Sequence, residues 1–345
     1  MINFYYRIKP FIPARLRVAL RRFVARRKRI QCGDVWPILE SAGRKPTGWN
    51  GWPEGKRFAV VLTHDVESQR GVDRVRDVAE MEMSLGFRSS FNFIPEGDYQ
   101  VSTELRNWLT KNGFEVGVHD HRHDGKLYQS RESFSASATR INHFLSEWGA
   151  VGFRSGFMLH NLEWIHDLEV LYDASTFDTD PFEPQPDGVG TIFPFWVADP
   201  RRVRAAVVAG LSVGETGTNP LASVMPEASP VAKGYVELPY TLPQDFTLLV
   251  ILGEKTCDLW TRKVRWISER GGMVLLNVHP DYMAFKGDTC GFDEFDASLY
   301  AQFLGELSSS HSGQYWPVLP RQMAGYWRKN VLGFPDGASP VGMSH

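Results

Sequence analysis

RFAVVLTHDVE, residues 57–67, decides how the chain is to be folded. Phe58 to Leu62 is an unbroken apolar run, too short for a helix and of the kind found in strands covered on both faces. It ends in Thr63-His64-Asp65, so polar chemistry begins where the strand stops. The same change recurs in RSSFNFI (88–94), FEVGVH (114–119), VGFRSG (151–156), VLYDAST (170–176) and GMVLLNVHP (272–280), the last clear strand. Helical spacing fills the intervals at 71–85, 102–111, 132–149, a short piece at 161–170, and 256–270. Gly86 and Gly113 fall just past helix ends, where a left-handed residue is needed. This alternation predicts an α/β fold with a parallel sheet and helical crossovers.

Composition sets the frame. A hydrophobic fraction of 43% with 23% charged residues allows a large core and excludes a mainly disordered chain. The 345 residues suit one large α/β domain or two smaller ones. The net charge of −2 hides an asymmetry. Residues 1–33 carry ten Lys and Arg and no acid, which leaves 28 basic against 40 acidic residues, or −12, on the remainder. Three widely spaced cysteines, Cys32, Cys257 and Cys290, offer neither a disulfide framework nor a Cys-x-x-Cys pair, so reduced thiols are expected.

No stretch reaches transmembrane length, and ARLRVALRRFVARRKR (14–29) has no apolar core of a secretory signal, so a cytoplasmic protein is expected. That segment places Leu16, Leu20, Phe23 and Val24 near helical spacing among arginines, opened after Pro13. Two readings stand level: docking on an anionic membrane face or a partner, or packing on the acidic body. A nucleic-acid partner is not expected. Residues 42–57, rich in Gly, Pro and Trp, read as a linker. The expected division is therefore 1–56 basic arm and linker, 57–330 barrel, and 331–345 tail. An insertion over 181–243 holds ten prolines, breaks the strand–helix rhythm and is read as an excursion that returns to the sheet at YVELPY (235–240).

The residues able to do chemistry gather at strand ends. In parallel α/β folds these ends share one face, which carries the active site. HDHRHD (119–124) sets His119 and His123 four apart, able to converge on one cation. A carboxylate from elsewhere would complete three protein ligands and leave a position open for water, as metal-assisted hydrolysis requires. Asp65 and Glu67, at i and i+2, point to one side of an extended segment. Two carboxylates so placed need a cation or a proton between them, which divides their tasks into ligand and base.

In order and spacing, THDVE (63–67), EVGVHDHRH (115–123), GFRSG (152–156), YDAST (172–176) and LLNVHP (275–280) resemble the polysaccharide deacetylases, the NodB-homology proteins of carbohydrate esterase family 4. The resemblance covers about residues 57–282. It implies a distorted (β/α)7 barrel holding one divalent metal, usually zinc, and hydrolysis of an N-acetyl, sometimes O-acetyl, group on a sugar. It implies Asp65 as general base, His119 and His123 as metal ligands, His279 as general acid, and Arg154 as the group orienting the base. An acetylated carbohydrate is the implied substrate.

The sequence departs from the family at two points. Val66 stands where the commonest motif has a second aspartate, and Glu67 fills the ligand place of the Asp-x-Asp branches. Arg154-Ser155-Gly156 lacks the usual proline. Asp173 is taken as tuning His279 or pinning its strand, with Asp178 a competitor, and His121 as structural. Phe193, Phe195 and Trp196 are read first as core and second as a sugar platform. His143, His160, His166, His311 and His345 are read as surface or locally bonded groups. The alternative activities are hydrolysis of another C–N amide bond on this scaffold, or carbohydrate binding without catalysis.

Overall fold

The computed structural model describes residues 13–201 and 233–333. The expectations for residues 1–12, for the middle of the 181–243 insertion and for the end of the tail, with His345, lie outside the described residues.

The helices are α1 (Ala14–Gln31), α2 (Gln69–Ser84), α3 (Thr103–Lys111), α4 (Arg131–Trp148), α5 (Asp258–Arg270), α6 (Ser298–Ser310) and α7 (Pro320–Asn330). The strands are β1 (Phe58–Val66), β2 (Ser90–Phe93), β3 (Glu115–His119), β4 (Gly152–Arg154), β5 (Tyr172–Asp173), β6 (Phe195–Ala198), β7 (Gly234–Glu237), β8 (Met273–Val278), β9 (Met283–Ala284), β10 (Phe295–Asp296) and β11 (Tyr315–Pro317). All nine residues of β1 are buried, as its apolar run requires. It pairs in parallel with β8 over 59–64 and with β2 over 63–66. Strands β2, β3, β4, β5 and β7 then continue in parallel.

Seven parallel strands thus curl in the order β8-β1-β2-β3-β4-β5-β7. The open seam between β7 and β8 is bridged by Thr241. Its N–H donates to Leu275 O, and Leu275 N–H returns to Thr241 Oγ1, both at 2.9 Å. This is the expected distorted (β/α)7 barrel. Helix starts are set by side-chain caps: Ser102 Oγ accepts from Leu105 N–H, and Ser130 Oγ from Ser133 N–H. Each such cap contributes about 1 kcal/mol. Among the described residues no helix is long and apolar enough to cross a membrane. Cys32, Cys257 and Cys290 are free thiols.

Three expectations change. The stretch 42–57 is no free linker: Trp52 is buried, its indole N–H donates to Gly271 O at 2.9 Å, and Trp49 stacks on Trp327 at 5.2 Å. This strap seals the end of the barrel where the strands begin. Residues 272–280 are not the last strand, because β11 adds to the start of β1. The insertion returns to the sheet at YVELPY (235–240), as expected, through β7, but it also supplies the antiparallel β6, which was not expected. Phe193 and Trp196 are buried at the sealed end, with Phe193 5.7 Å from Trp49. They are core, as first read, and form no sugar platform.

Candidate metal centre and active site

The open face of the barrel is built from the ends of β1, β3, β4 and β8. Glu67 follows β1 and His119 closes β3, while His123 lies four residues on in a turn with positive φ at Asp120 (57°) and His123 (54°). The ligand atoms of Glu67, His119 and His123 all lie within 4.8 Å of one another, the one such group among the described residues. Glu67 Oε1 is 3.2 Å from His123 Nε2 and 3.9 Å from His119 Nε2. Its other oxygen, Oε2, accepts from the Tyr282 hydroxyl at 2.9 Å.

The imidazoles are prepared for a cation. His119 Nδ1 faces Arg154 O at 3.1 Å, and a carbonyl only accepts, so Nδ1 carries the proton and Nε2 presents its lone pair. His119 Nε2 and His123 Nε2 are buried without a hydrogen-bond partner. Two unpartnered imidazole nitrogens beside a carboxylate oxygen fit one divalent metal, because burying polar atoms unpaired is costly unless a ligand completes them. Burial pushes Glu67 up, but His123 and His119 outweigh it and hold the carboxyl well below its usual range.

Asp65, two residues before Glu67, is gripped from both sides. Asn92 Nδ2 donates to Oδ1 at 2.9 Å, and Asn277 Nδ2 to Oδ2 at 2.8 Å. Asn277 is itself fixed, since its Oδ1 accepts from Thr63 Oγ1 at 3.0 Å. Gly117 makes room for Asn92: a Cβ there would stand 2.2 Å from Asn92 Oδ1. The fully buried Arg154 brings Nε to 3.7 Å from Asp65 Oδ1. Burial alone would raise the Asp65 carboxyl. Arg154, His119 and His279 reverse this, with the Asn92 bond, and hold it below the usual aspartate range.

His279, just past β8, has its Nε2 3.9 Å from Glu67 Oε1. Asp245 binds it twice, accepting from its backbone N–H at 2.8 Å and meeting Nδ1 at 2.6 Å. Burial pushes the imidazole down, and Asp245, ahead of Glu67 and Asp65, reverses this and takes it up to about 10. The imidazole therefore keeps its proton at neutral pH.

Of the two readings of Asp173, tuning His279 or pinning its strand, its surroundings match the second. It sits in register with Glu237, accepts from Ser175 Oγ at 2.6 Å, and is raised chiefly by burial. Glu237 is pushed well up by burial and by Asp173. The buried pair pins β5 to β7, and the tuning of His279 falls to Asp245. Asp178 faces Lys263 at 2.7 Å instead. His121, structural as read, binds Glu96 at 2.9 Å. The sequence reading missed Asp245, Asn92, Asn277, Tyr282 and Phe157, whose ring stacks on His123 at 4.3 Å. The i, i+2 spacing of Asn277 and His279 on one strand was the signal available for Asn277.

Fold and site together define a parallel α/β barrel whose open end brings Asp65 and His279 beside Glu67, His119 and His123, a group of donors that could hold a metal ion. No family model matches the sequence, and no curated protein matches it. Among solved structures, the barrel is similar to a protein from Mycobacterium smegmatis assigned as a polysaccharide deacetylase. That pair has 16% identity and a TM-score of 0.52, over 84% of this chain and 96% of the other. It is similar also to the PuuE allantoinase, at 14% identity and a TM-score of 0.53, over 86% and 99%. The resemblance read from the motifs therefore holds at the level of the fold.

Proposed function

We propose that this protein is a metal-dependent hydrolase that removes an acetyl group, in the first place an N-acetyl group, from a sugar of a polysaccharide or lipid-linked glycan precursor. One observation carries the reading: an ionised Asp65 and a protonated His279 converge on a donor triad whose two imidazole Nε2 atoms have no partner. Glu67, His119 and His123 would hold the metal, and two imidazoles with one carboxylate suit zinc. When bound, zinc supplies Lewis acidity to the acetyl carbonyl and eases ionisation of a water.

The side chains divide the remaining work. Asp65 takes the proton of the attacking water as oxygen adds to the acetyl carbon. Asn92 and Asn277 aim its carboxylate, and Arg154 keeps it ionised. His279 gives its proton to the amine nitrogen as the C–N bond breaks, without which the amine is a poor leaving group. Asp245 stabilises the imidazolium until then. The products are acetate and the free amino sugar. The protein would work in the cytoplasm at the inner membrane face, with residues 14–29 as the contact.

The deacetylase-type fold neighbour supports this reading, and the allantoinase of the same fold supports a second, hydrolysis of a different C–N amide bond. A binding protein without catalysis has no physical need for Asp65, His279 and Asp245 around one triad. The test is acetate release from a panel of N- and O-acetylated sugars by zinc-loaded protein, beside Asp65→Asn. Release that falls about 10²–10⁴-fold in the variant supports the proposal. No release from any acetylated sugar, with turnover of cyclic amides, would move the assignment to the second reading.

A further inference from the structure

Among the described residues, seven large apolar side chains are exposed, and five of them lie on α1: Leu16, Leu20, Phe23, Val24 and Ile30. The other two are adjacent. Val35 follows the helix, and Phe292 lies under Arg15, with its carbonyl accepting from Arg22. At 3.6 residues per turn, the five helical side chains fall within one arc of about 120°. Val18 and Ala25, on the opposite side, are buried against the body.

The usual arrangement is therefore reversed. A helix lying on a protein turns its apolar stripe inward. Here polar bonds fasten the inner side: Arg22 Nε donates to Val250 O at 2.9 Å, and Arg29 meets Glu254 at 2.5 Å. The apolar stripe points away from the body. Arg15 and Arg26 border it on one side, Arg17, Arg21 and Lys28 on the other, and Arg27 lies over the Phe23 ring at 4.3 Å. The helix contains no acidic residue.

We infer that α1 is an interfacial anchor that lies flat on an anionic lipid bilayer, with Leu16, Leu20, Phe23 and Val24 below the headgroups and the flanking arginines among them. An apolar face broken at Arg27, which folds over the Phe23 ring, and edged by cations on both sides matches the layering of a headgroup region over acyl chains. A nucleic acid or other polyanion would satisfy the arginines and leave the stripe in water.

The anchor also fixes an orientation. Arg21 lies over Phe246 at 5.0 Å, Phe246 packs on Tyr282 at 4.5 Å, and the Tyr282 hydroxyl bonds Glu67. Docking of α1 brings the mouth of the metal site to the bilayer surface. The substrate it serves is then a sugar carried on a lipid, a conclusion that rests on the hydrolase reading given above.

The test is co-sedimentation of the full-length protein with vesicles of phosphatidylcholine, with and without phosphatidylglycerol. The variants are Leu20→Ser/Phe23→Ser, Arg26→Gln/Arg27→Gln, and Asp65→Asn as a reference with an intact arm. Wild type and Asp65→Asn are expected to sediment alike with anionic vesicles and to stay in solution with neutral ones. The arginine pair should bind about fivefold more weakly per charge removed, and the Leu/Phe pair at least about tenfold more weakly. Melting temperatures of the two arm variants should be unchanged, since their side chains face away from the body. Wild type that ignores anionic vesicles overturns the inference. So does a Leu/Phe pair that sediments like wild type, which would mark a charge-only contact. Sedimentation is read without turnover, so docking stands or falls separately from the hydrolase assignment.

Discussion

Replacing Gly156 by alanine would disturb the metal set at one atom while leaving every ligand in the chain. A Cβ at this position would stand 2.3 Å from Asp120 Oδ2 and 2.7 Å from His123 Cδ2. Ordinary contact needs about 3.5 Å, so the carboxylate must yield by about 1 Å and the ring by nearly as much. Neither moves freely. Asp120 Oδ2 accepts from Gly156 N–H at 3.2 Å and Oδ1 from His121 N–H at 2.5 Å, with the residue at positive φ. His123 is backed by the Phe157 ring. Ligand positions tolerate about 0.2 Å, so the displacement is several times what a site can absorb. Gly156→Ala should cost about 1–3 kcal/mol of stability by overpacking. It should weaken zinc binding about 10–100-fold, the usual effect of disturbing groups that orient ligands. Zinc affinity from competition with a chromophoric chelator, beside urea unfolding, measures both. Gly305→Ala is the control: nothing lies within 4 Å of its Cβ, and alanine within α6 should be neutral or stabilising. Folded Gly156→Ala protein with wild-type zinc affinity would refute the reasoning.

Three further perturbations follow from the same contacts. Arg154→Met leaves Asp65 buried without its cation and should cost about 3–5 kcal/mol in urea unfolding. Adding Asp65→Asn should recover part of that loss, and full additivity would show that the two groups do not interact. Asp245→Asn removes the main support for the His279 proton. The imidazole, protonated up to about 10 in the native site, should then titrate far lower, moving the basic limb of the pH–rate profile acidward. An NMR titration of His279 follows this directly. His166 is pushed down to about 4 by burial, so it is neutral when folded. The unfolded chain binds its proton near 6.5, so this stability is full above that value and is lost as pH falls toward 4. Between about pH 7.5 and pH 5 the loss is about 2 kcal/mol, and His166→Phe should abolish that share of the slope in urea unfolding.

Strand-end chemistry was legible because two local rules coincide. Apolar runs such as Phe58–Leu62 and Met273–Leu276 declare buried strands, and parallel connection puts all their ends on one face. That places Asp65, Glu67, His119, Arg154 and His279 together before any coordinate is known. Asp245 was not legible, since its approach to His279 depends on how residues 238–245 cross the seam between β7 and β8. The choice between the two readings of Asp173 was hidden for the matching reason. Asp173 ends a strand like the others, but its register opposite Glu237 turns it into a buried acid pair. The Trp49 and Trp52 strap was hidden by composition, because Gly and Pro beside tryptophan look like linker until α7 supplies the surface they cover. Of the two readings for α1, packing on the body holds for the side that carries Val18 and Ala25, while Leu16, Leu20, Phe23 and Val24 face outward.

The central claim is that Glu67, His119 and His123 hold a catalytic divalent metal. Elemental analysis of the purified protein beside His119→Ala/His123→Ala tests it most directly. The account predicts near-stoichiometric zinc or another divalent metal in the wild type and its loss in the variant. No metal in either protein, even after reconstitution, would contradict it and remove the hydrolytic mechanism with it.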